Sequence, residues 1–231
     1  MREMIKEKAR TAFKAQYWPI VGIELLAGIL TGGIGGISMR FNSADLNRLR
    51  DAIGNDEAFR RIAAVLMGLV ATVGLISLLY TFLFGNVIRV GIAKIRLTAY
   101  RQGAFRTEEL FFGLKQYGRI VGAMALYTLF VTLGFLFCFV PGIIVALGLY
   151  EVPYLLAEDE SLSGMEAIRR SWENMKGHKG ELFLLGLSFI GWILLTILTC
   201  GILAAFYTGP YMALAKAGFY RERHPEFTAQ P

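Results

Sequence analysis

Cysteine and histidine are almost absent from this sequence, with two of each in 231 residues. Cys138 and Cys200 are too few for a disulfide framework or a CxxC metal knuckle. Both fall near short apolar turns, where a bridge is geometrically conceivable and small apolar filling is the better reading. His178 and His224 are isolated among non-ligating neighbours, so neither is expected to hold a metal. Also missing are HExxH, GxSxG, a P-loop, and paired carboxylates with an attendant histidine. The run GGIGG (32–36) is no phosphate cradle, since no strand precedes it and no Lys-Ser/Thr follows. These absences leave no case for an enzyme and none for a cofactor. Charge is sparse too, at 18%, and no platform of basic and aromatic residues for nucleic acid is visible.

What fills the chain is apolar: 55% hydrophobic residues and a mean hydropathy of +0.50. Several runs approach 20 residues, enough to cross roughly 30 Å of hydrocarbon as helix, and a lipid-embedded backbone must satisfy its own amides. The expected fold is therefore an all-α integral membrane protein, a single domain over residues 1–231. Six spans are expected: Trp18–Ser38, Ile62–Gly85, Ile120–Phe139, Gly142–Ala157, Leu182–Thr199 and Ile202–Phe219. The fourth is the shortest and is open to a re-entrant reading. The basic start MREMIKEKARTAFKAQYW holds Glu3 and Glu7, and the apolar run after it lacks an A-x-A-like site. It reads as a retained first helix, not a signal peptide.

Nineteen of the 24 lysines and arginines fall in segments on one side of these spans, and five fall in the 40–61 loop on the other. That asymmetry predicts both termini in the cytoplasm of a bacterial inner membrane. The net charge of +6 fits that bias and a preference for anionic lipid.

The chain also reads as three pseudo-repeated hairpins, at about 1–104, 105–160 and 161–222, with a tail at 223–231. Each is introduced by a cytoplasmic amphipathic helix. FVPGII and LTCGIL make matching tight turns. YEVPY and YTGPY make matching helix breaks, in which Tyr150, Pro153 and Tyr154 are spaced like Tyr207, Pro210 and Tyr211. Two readings of these breaks stay open: kinked-helix packing with aromatic anchors, or a hinge or aromatic-lined cavity between repeats. The first exit helix, GIAKIRLTAYR, resembles ALAKAGFYRER, which matches Lys94 with Lys216.

Glu151 and Glu24 lie at moderate depth inside spans. Such acids face the bundle interior and are candidates for structural ion pairs or for a ligand- or proton-linked role. Arg89, Lys94 and Lys216 are their expected partners. Gly28, Gly32 and Gly36 form a GxxxGxxxG face for close helix packing, internal or in a homodimer. Ser163 and Glu166 form a capping box at the head of an amphipathic helix whose stripe is Met165, Ile168, Trp172 and Met175. That helix, and the N-terminal one with Met1, Ile5, Ala9 and Phe13 on one face, is expected to lie at the membrane surface.

The stretch from Pro141 to Tyr220 carries the acidic turn LAEDESLS, the MKGHKGELF start, the LSFIGW span and the closing GPYMALAKAGFY. In these it resembles the bacterial integral-membrane family called domain of unknown function 975, and MIKEKARTAFKAQYWP looks like that family's opening segment. The resemblance implies a six-helix cytoplasmic-membrane protein, similar in layout to the membrane portion of certain glycerophosphodiester phosphodiesterases but without their attached catalytic domain. It transfers no catalytic residue.

Two functions follow from the sequence. One is a non-enzymatic membrane scaffold or regulatory subunit, acting through a membrane-protein partner or as a homodimer. The other is a small transporter or a lipid- or peptide-handling protein with a site between repeats near Glu151, Pro153 and Pro210.

Overall fold

The computed structural model describes residues 2–30, 56–103, 106–199 and 201–225. Among these, all regular structure is helical. Two helices open the chain, α1 (Arg2–Ala15) and α2 (Tyr17–Leu30). A long helix, α3 (Asp56–Tyr80), runs through a π-helical turn at Thr81–Gly85 directly into α4 (Asn86–Gln102). After a 3-10 segment at Thr107–Gln116 come α5 (Tyr117–Phe137), α6 (Phe139–Gly148), α7 (Val152–Glu158) and α8 (Gly164–Asn174). The chain closes with α9 (Lys179–Leu187), α10 (Ile190–Leu198), a π-helical turn at Ala204–Thr208 and α11 (Gly209–Arg223).

Among the described residues four helical runs are long and apolar enough to cross a membrane: Arg60–Gln102, Thr107–Phe137, Phe139–Glu158 and Lys179–Leu198, with a shorter apolar helix at Tyr17–Gly28. The short fourth span of the sequence is thus part of a 20-residue run. The joint expected at FVPGII falls one residue earlier, and FVPGII itself is the start of α6. Cys138 alone, in an extended conformation, separates α5 from α6, and Gly134 and Gly142 let the two helices pack closely. In LTCGIL the turn uses Gly201 at φ 87°, a left-handed conformation that only glycine adopts without strain.

The core has three parts: a small one of Ile23, Ala27, Ile92, Ile95 and Leu110, and two larger ones that meet at α11. One gathers Val87, Val90, Ile120, Leu155 and Ala167 against Ala217 and Tyr220. The other gathers Ile5, Phe13, Leu185 and Phe189 against Tyr211 and Leu214. Both amphipathic helices bury much of their apolar faces on protein. In α1, Ile5, Ala9 and Phe13 are buried, chiefly against α11. In α8 the buried face is Ala167, Ile168 and Ser171, continuing to Met175, whereas Met165 is exposed. The cap of α8 is as expected, with the Glu166 N–H donating to the Ser163 hydroxyl at 3.3 Å.

The glycine face expected on the first span is not a packing seam at Gly28, where a Cβ would meet nothing within 4 Å. Gly32 and Gly36 lie outside the described residues. The closest backbone approach occurs elsewhere: Gly91 of α4 lies against the Leu110 carbonyl, and Gly113 against that of Val87.

Between α6 and α7 the helix stops and restarts over Leu149–Glu151. Pro153 has no N–H to give, and the chain's freed groups turn to α8. The Ser171 hydroxyl donates to the Gly148 carbonyl (2.9 Å) and accepts from the Glu151 N–H (3.2 Å), all of it buried. Arg119 of α5 donates to the carbonyls of Leu156, Asp159 and Leu162, closing the C-terminal end of α7. Ser171→Ala strands two buried backbone groups and should destabilise the protein by about 1–3 kcal/mol. A detergent melting curve that matches wild type would show that the bridge contributes nothing.

Candidate functional site

Two charged constellations flank the break. The first is a buried cluster around Glu151, which is 0% exposed. Its Oε1 accepts from Arg223 (3.0 Å), and its Oε2 accepts from Asn174 (3.1 Å) and lies 3.1 Å from Nε2 of His224. Arg223 also donates to the Asn174 carbonyl and reaches Met175 Sδ at 3.1 Å, so one guanidinium joins the break to the end of α8. One turn further on, Glu158 receives Arg221 and the Tyr220 hydroxyl (2.8 Å). Tyr220 in turn stacks on Tyr154 and lies beside His224, with ring centroids 5.2 and 4.6 Å away. The last turn of α11 is therefore locked onto α7 and α8 by charge. In the acidic turn beyond, Ser161 donates to Asp159 from its hydroxyl (2.6 Å) and its N–H (2.9 Å), which holds that carboxyl below the usual carboxylate range.

The second constellation lines a cavity of about 390 Å³ between α2, α4, α5, the break and α11. Glu24 and Gly28 enter from α2, Arg89 and Arg96 from α4, and Tyr127 from α5. Tyr150, Pro153 and Tyr154 line it from the break, and Lys216 from α11. Arg96 holds Glu24 through two parallel bonds of 2.7 Å, a planar fork on a carboxylate that fixes both side chains. Tyr150 donates to the Tyr154 hydroxyl at 3.2 Å. The lining therefore carries three cations and one carboxylate. A second cavity, of about 400 Å³ between α5, α6 and α8, is apolar, and two of its charged residues, Arg169 and Glu173, pair with each other at 3.2 Å.

Several sequence candidates thus converge on one void: Glu24, Arg89, Lys216, Gly28, Tyr150, Pro153 and Tyr154. The expected ion-pair partners need correction. Glu24 pairs with Arg96, and Glu151 with Arg223 and His224, in place of Arg89, Lys94 or Lys216. Lys94 instead lies over the Phe112 ring, 3.4 Å from its centroid. His224 is buried beside a carboxylate and is not isolated. Glu151 belongs to the cluster and not to the cavity lining, and so does not share a site with Pro153.

Tyr207, Tyr211 and Pro210 do not reach the cavity. The two tyrosines pack with Phe13, Phe189 and Trp192 in an aromatic group with centroids 4.8–5.9 Å apart. Cys138 is exposed and unpaired, and Cys200 lies outside the described residues. Among the described residues no group of histidines, cysteines and acids is arranged to hold a metal.

Arg96, Arg223 and Ser171 are the residues that sequence reasoning missed. The repeated aromatic-basic endings TAYR and FYRER were the available signal for arginines near helix ends, but they name no partner.

Removing Arg223 leaves a carboxylate buried with its main counter-charge gone, so Arg223→Ala should cost about 3–5 kcal/mol. Glu151→Gln should also lower the melting temperature in detergent, since it strands Arg223 and His224 instead. If both variants melt with wild type, the cluster is not a structural tie.

A family model described as "Protein of unknown function (DUF975)" matches residues 21–224. No curated protein and no solved structure matches the chain.

Proposed function

We propose that this chain, which belongs to the DUF975 family, is a multi-pass protein of the bacterial cytoplasmic membrane that holds a small ligand in the cavity beside the helix break. The observation that carries this reading is the mixed lining. Charged and phenolic groups from five parts of the chain converge on about 390 Å³ within a molecule whose surface is largely apolar. Charge kept inside a membrane protein is costly and marks ligand or ion sites by default. A concave space with a few convergent polar groups is the usual form of a binding site. The lining supplies cations and tyrosine hydroxyls, groups that bind and orient, so the reading is non-enzymatic handling of a ligand.

The membrane topology is part of the same proposal. The bias of nineteen basic residues to one side supports cytoplasmic termini, and the packing of α1 on α11 supports their lying on the same side. Irregular helix geometry recurs at 81–85, 149–151 and 204–208. That recurrence supports six spans arranged as three related hairpins.

The scaffold reading retains one supporting observation. The helix α3 exposes Val65, Met67, Leu75 and Ile76 and, among the described residues, packs mainly against the π-helical turn that follows it. A surface of that kind suits lipid or a membrane-protein partner.

Gly28 provides the test. It lines the cavity and faces open space, so Gly28→Trp fills the site without a clash at Cβ. Native mass spectrometry of gently extracted wild type should show a small molecule at fixed stoichiometry, and the variant should lose it while melting at or above the ligand-free wild type. Wild type that carries no small molecule would end this reading. A recurring protein partner in its place would favour the scaffold.

A further inference from the structure

The cavity's charges do not cancel. Among the described residues Glu24 is its only carboxylate, and both of its oxygens are taken by Arg96. Arg89 and Lys216 are left, and among the described residues neither forms an ion pair or a side-chain hydrogen bond. They come from different helices, α4 and α11, with Arg89 exposed and Lys216 half-buried, and both border the same space. Two phenols add to the donor set. Tyr154 accepts from Tyr150, which leaves its own proton free to donate, and Tyr127 lines the same wall. Ile92, Ala93 and Met124 complete the lining as an apolar side.

We infer that the ligand of this cavity carries a net-anionic phosphate, one with no ammonium of its own to neutralise it, held between the Arg89 guanidinium and the Lys216 ammonium. This rests on the ligand-handling reading above and narrows it to one chemistry. A cationic ligand would meet two uncompensated positive charges. A carboxylate has two oxygens in one plane, a geometry that the Glu24–Arg96 fork already satisfies on its own. A phosphate ester presents several oxygens in three dimensions, which suits donors arriving from α4, α5, the break and α11. The apolar wall accommodates the carbon skeleton attached to it. The phosphate belongs either to an anionic lipid headgroup or to a free anion from water, and the chemistry at the cations is the same.

The experiment uses purified full-length protein in nanodiscs and in native mass spectrometry, with phosphatidylglycerol and phosphatidylcholine as probes. Wild type should retain phosphatidylglycerol over phosphatidylcholine by about tenfold or more, the scale expected of charge-assisted bonds. Arg89→Gln with Lys216→Gln should bring that ratio close to one, and Arg89→Lys should keep most of it. Glu24→Gln removes the carboxylate that occupies Arg96, so it should strengthen anion retention severalfold.

In phosphatidylcholine discs, saturable binding of inorganic phosphate that Arg89→Gln weakens assigns the site to a free anion. Phosphatidylglycerol selectivity without phosphate binding assigns it to a lipid headgroup. Wild type that retains both lipids equally and binds no phosphate overturns the inference while leaving a ligand site in place. Wild type that retains nothing removes the ligand-handling reading as well. Weaker anion retention in Glu24→Gln would also overturn it, because that result makes the carboxylate, and not the cations, the group the ligand needs.

Discussion

A helix that stops inside an apolar bundle leaves backbone groups that must be given partners, and much of this structure is arranged around one such stop. Over Leu149–Glu151 the partners are side chains carried by other helices. Ser171 arrives on α8 and bridges the gap. The carboxylate at the break draws in Arg223 and His224 from the end of α11, and Arg119 closes the far end of α7. Without the break, α8 would have no polar face to present inward, and the terminal turn of α11 would have no buried acid to meet. The same irregularity gives the cavity its tyrosine wall: Tyr150 and Tyr154 line that side, with Pro153 fixing the turn between them.

How much of this was legible in the sequence depends on whether a feature is local. The all-helical class, the long apolar runs, the Ser163 cap and the irregularities before Pro153 and Pro210 follow from residues a few positions apart. The ion pairs do not. Glu24 meets Arg96, and Glu151 meets Arg223, each across 72 residues. A sequence shows that an acid lies in an apolar run without showing which of many basic residues the packing brings to it. Amphipathic stripes are ambiguous in a related way. The pattern of Ile5, Ala9 and Phe13 says that a face is covered, and it has the same form whether lipid or protein covers it. Small residues behave likewise: the spaced glycines ending at Gly36 and the single Gly91 look equally suited to packing, yet Gly28 faces a void while Gly91 lies against a carbonyl.

The two proline breaks show how similar segments diverge in use. At Pro153 the helix breaks openly, and its tyrosines border the charged cavity. At Pro210 the chain absorbs the irregularity as a π-helical turn, and its tyrosines fill an aromatic core with Phe13 and Trp192. The tyrosines of the first break thus border a cavity, and those of the second pack in an aromatic core. The difference lies in what surrounds each break: Arg96, Glu24 and Lys216 beside the first, and the apolar faces of α1 and α10 beside the second.

The contact between α1 and α11 bears on how such a chain is made. Ile5, Ala9 and Phe13 emerge from the ribosome long before the helix that covers them, and the Tyr211 hydroxyl meets the Lys6 carbonyl across 205 positions. Until α11 arrives, the nascent N-terminal helix has an apolar face with no protein to bury it, and the headgroup layer of the bilayer is the obvious temporary resting place for it. In the membrane setting proposed above, completion of the fold is a transfer of that helix from lipid to protein. A chain that stalls or is truncated before α11 lacks the surface that would release it.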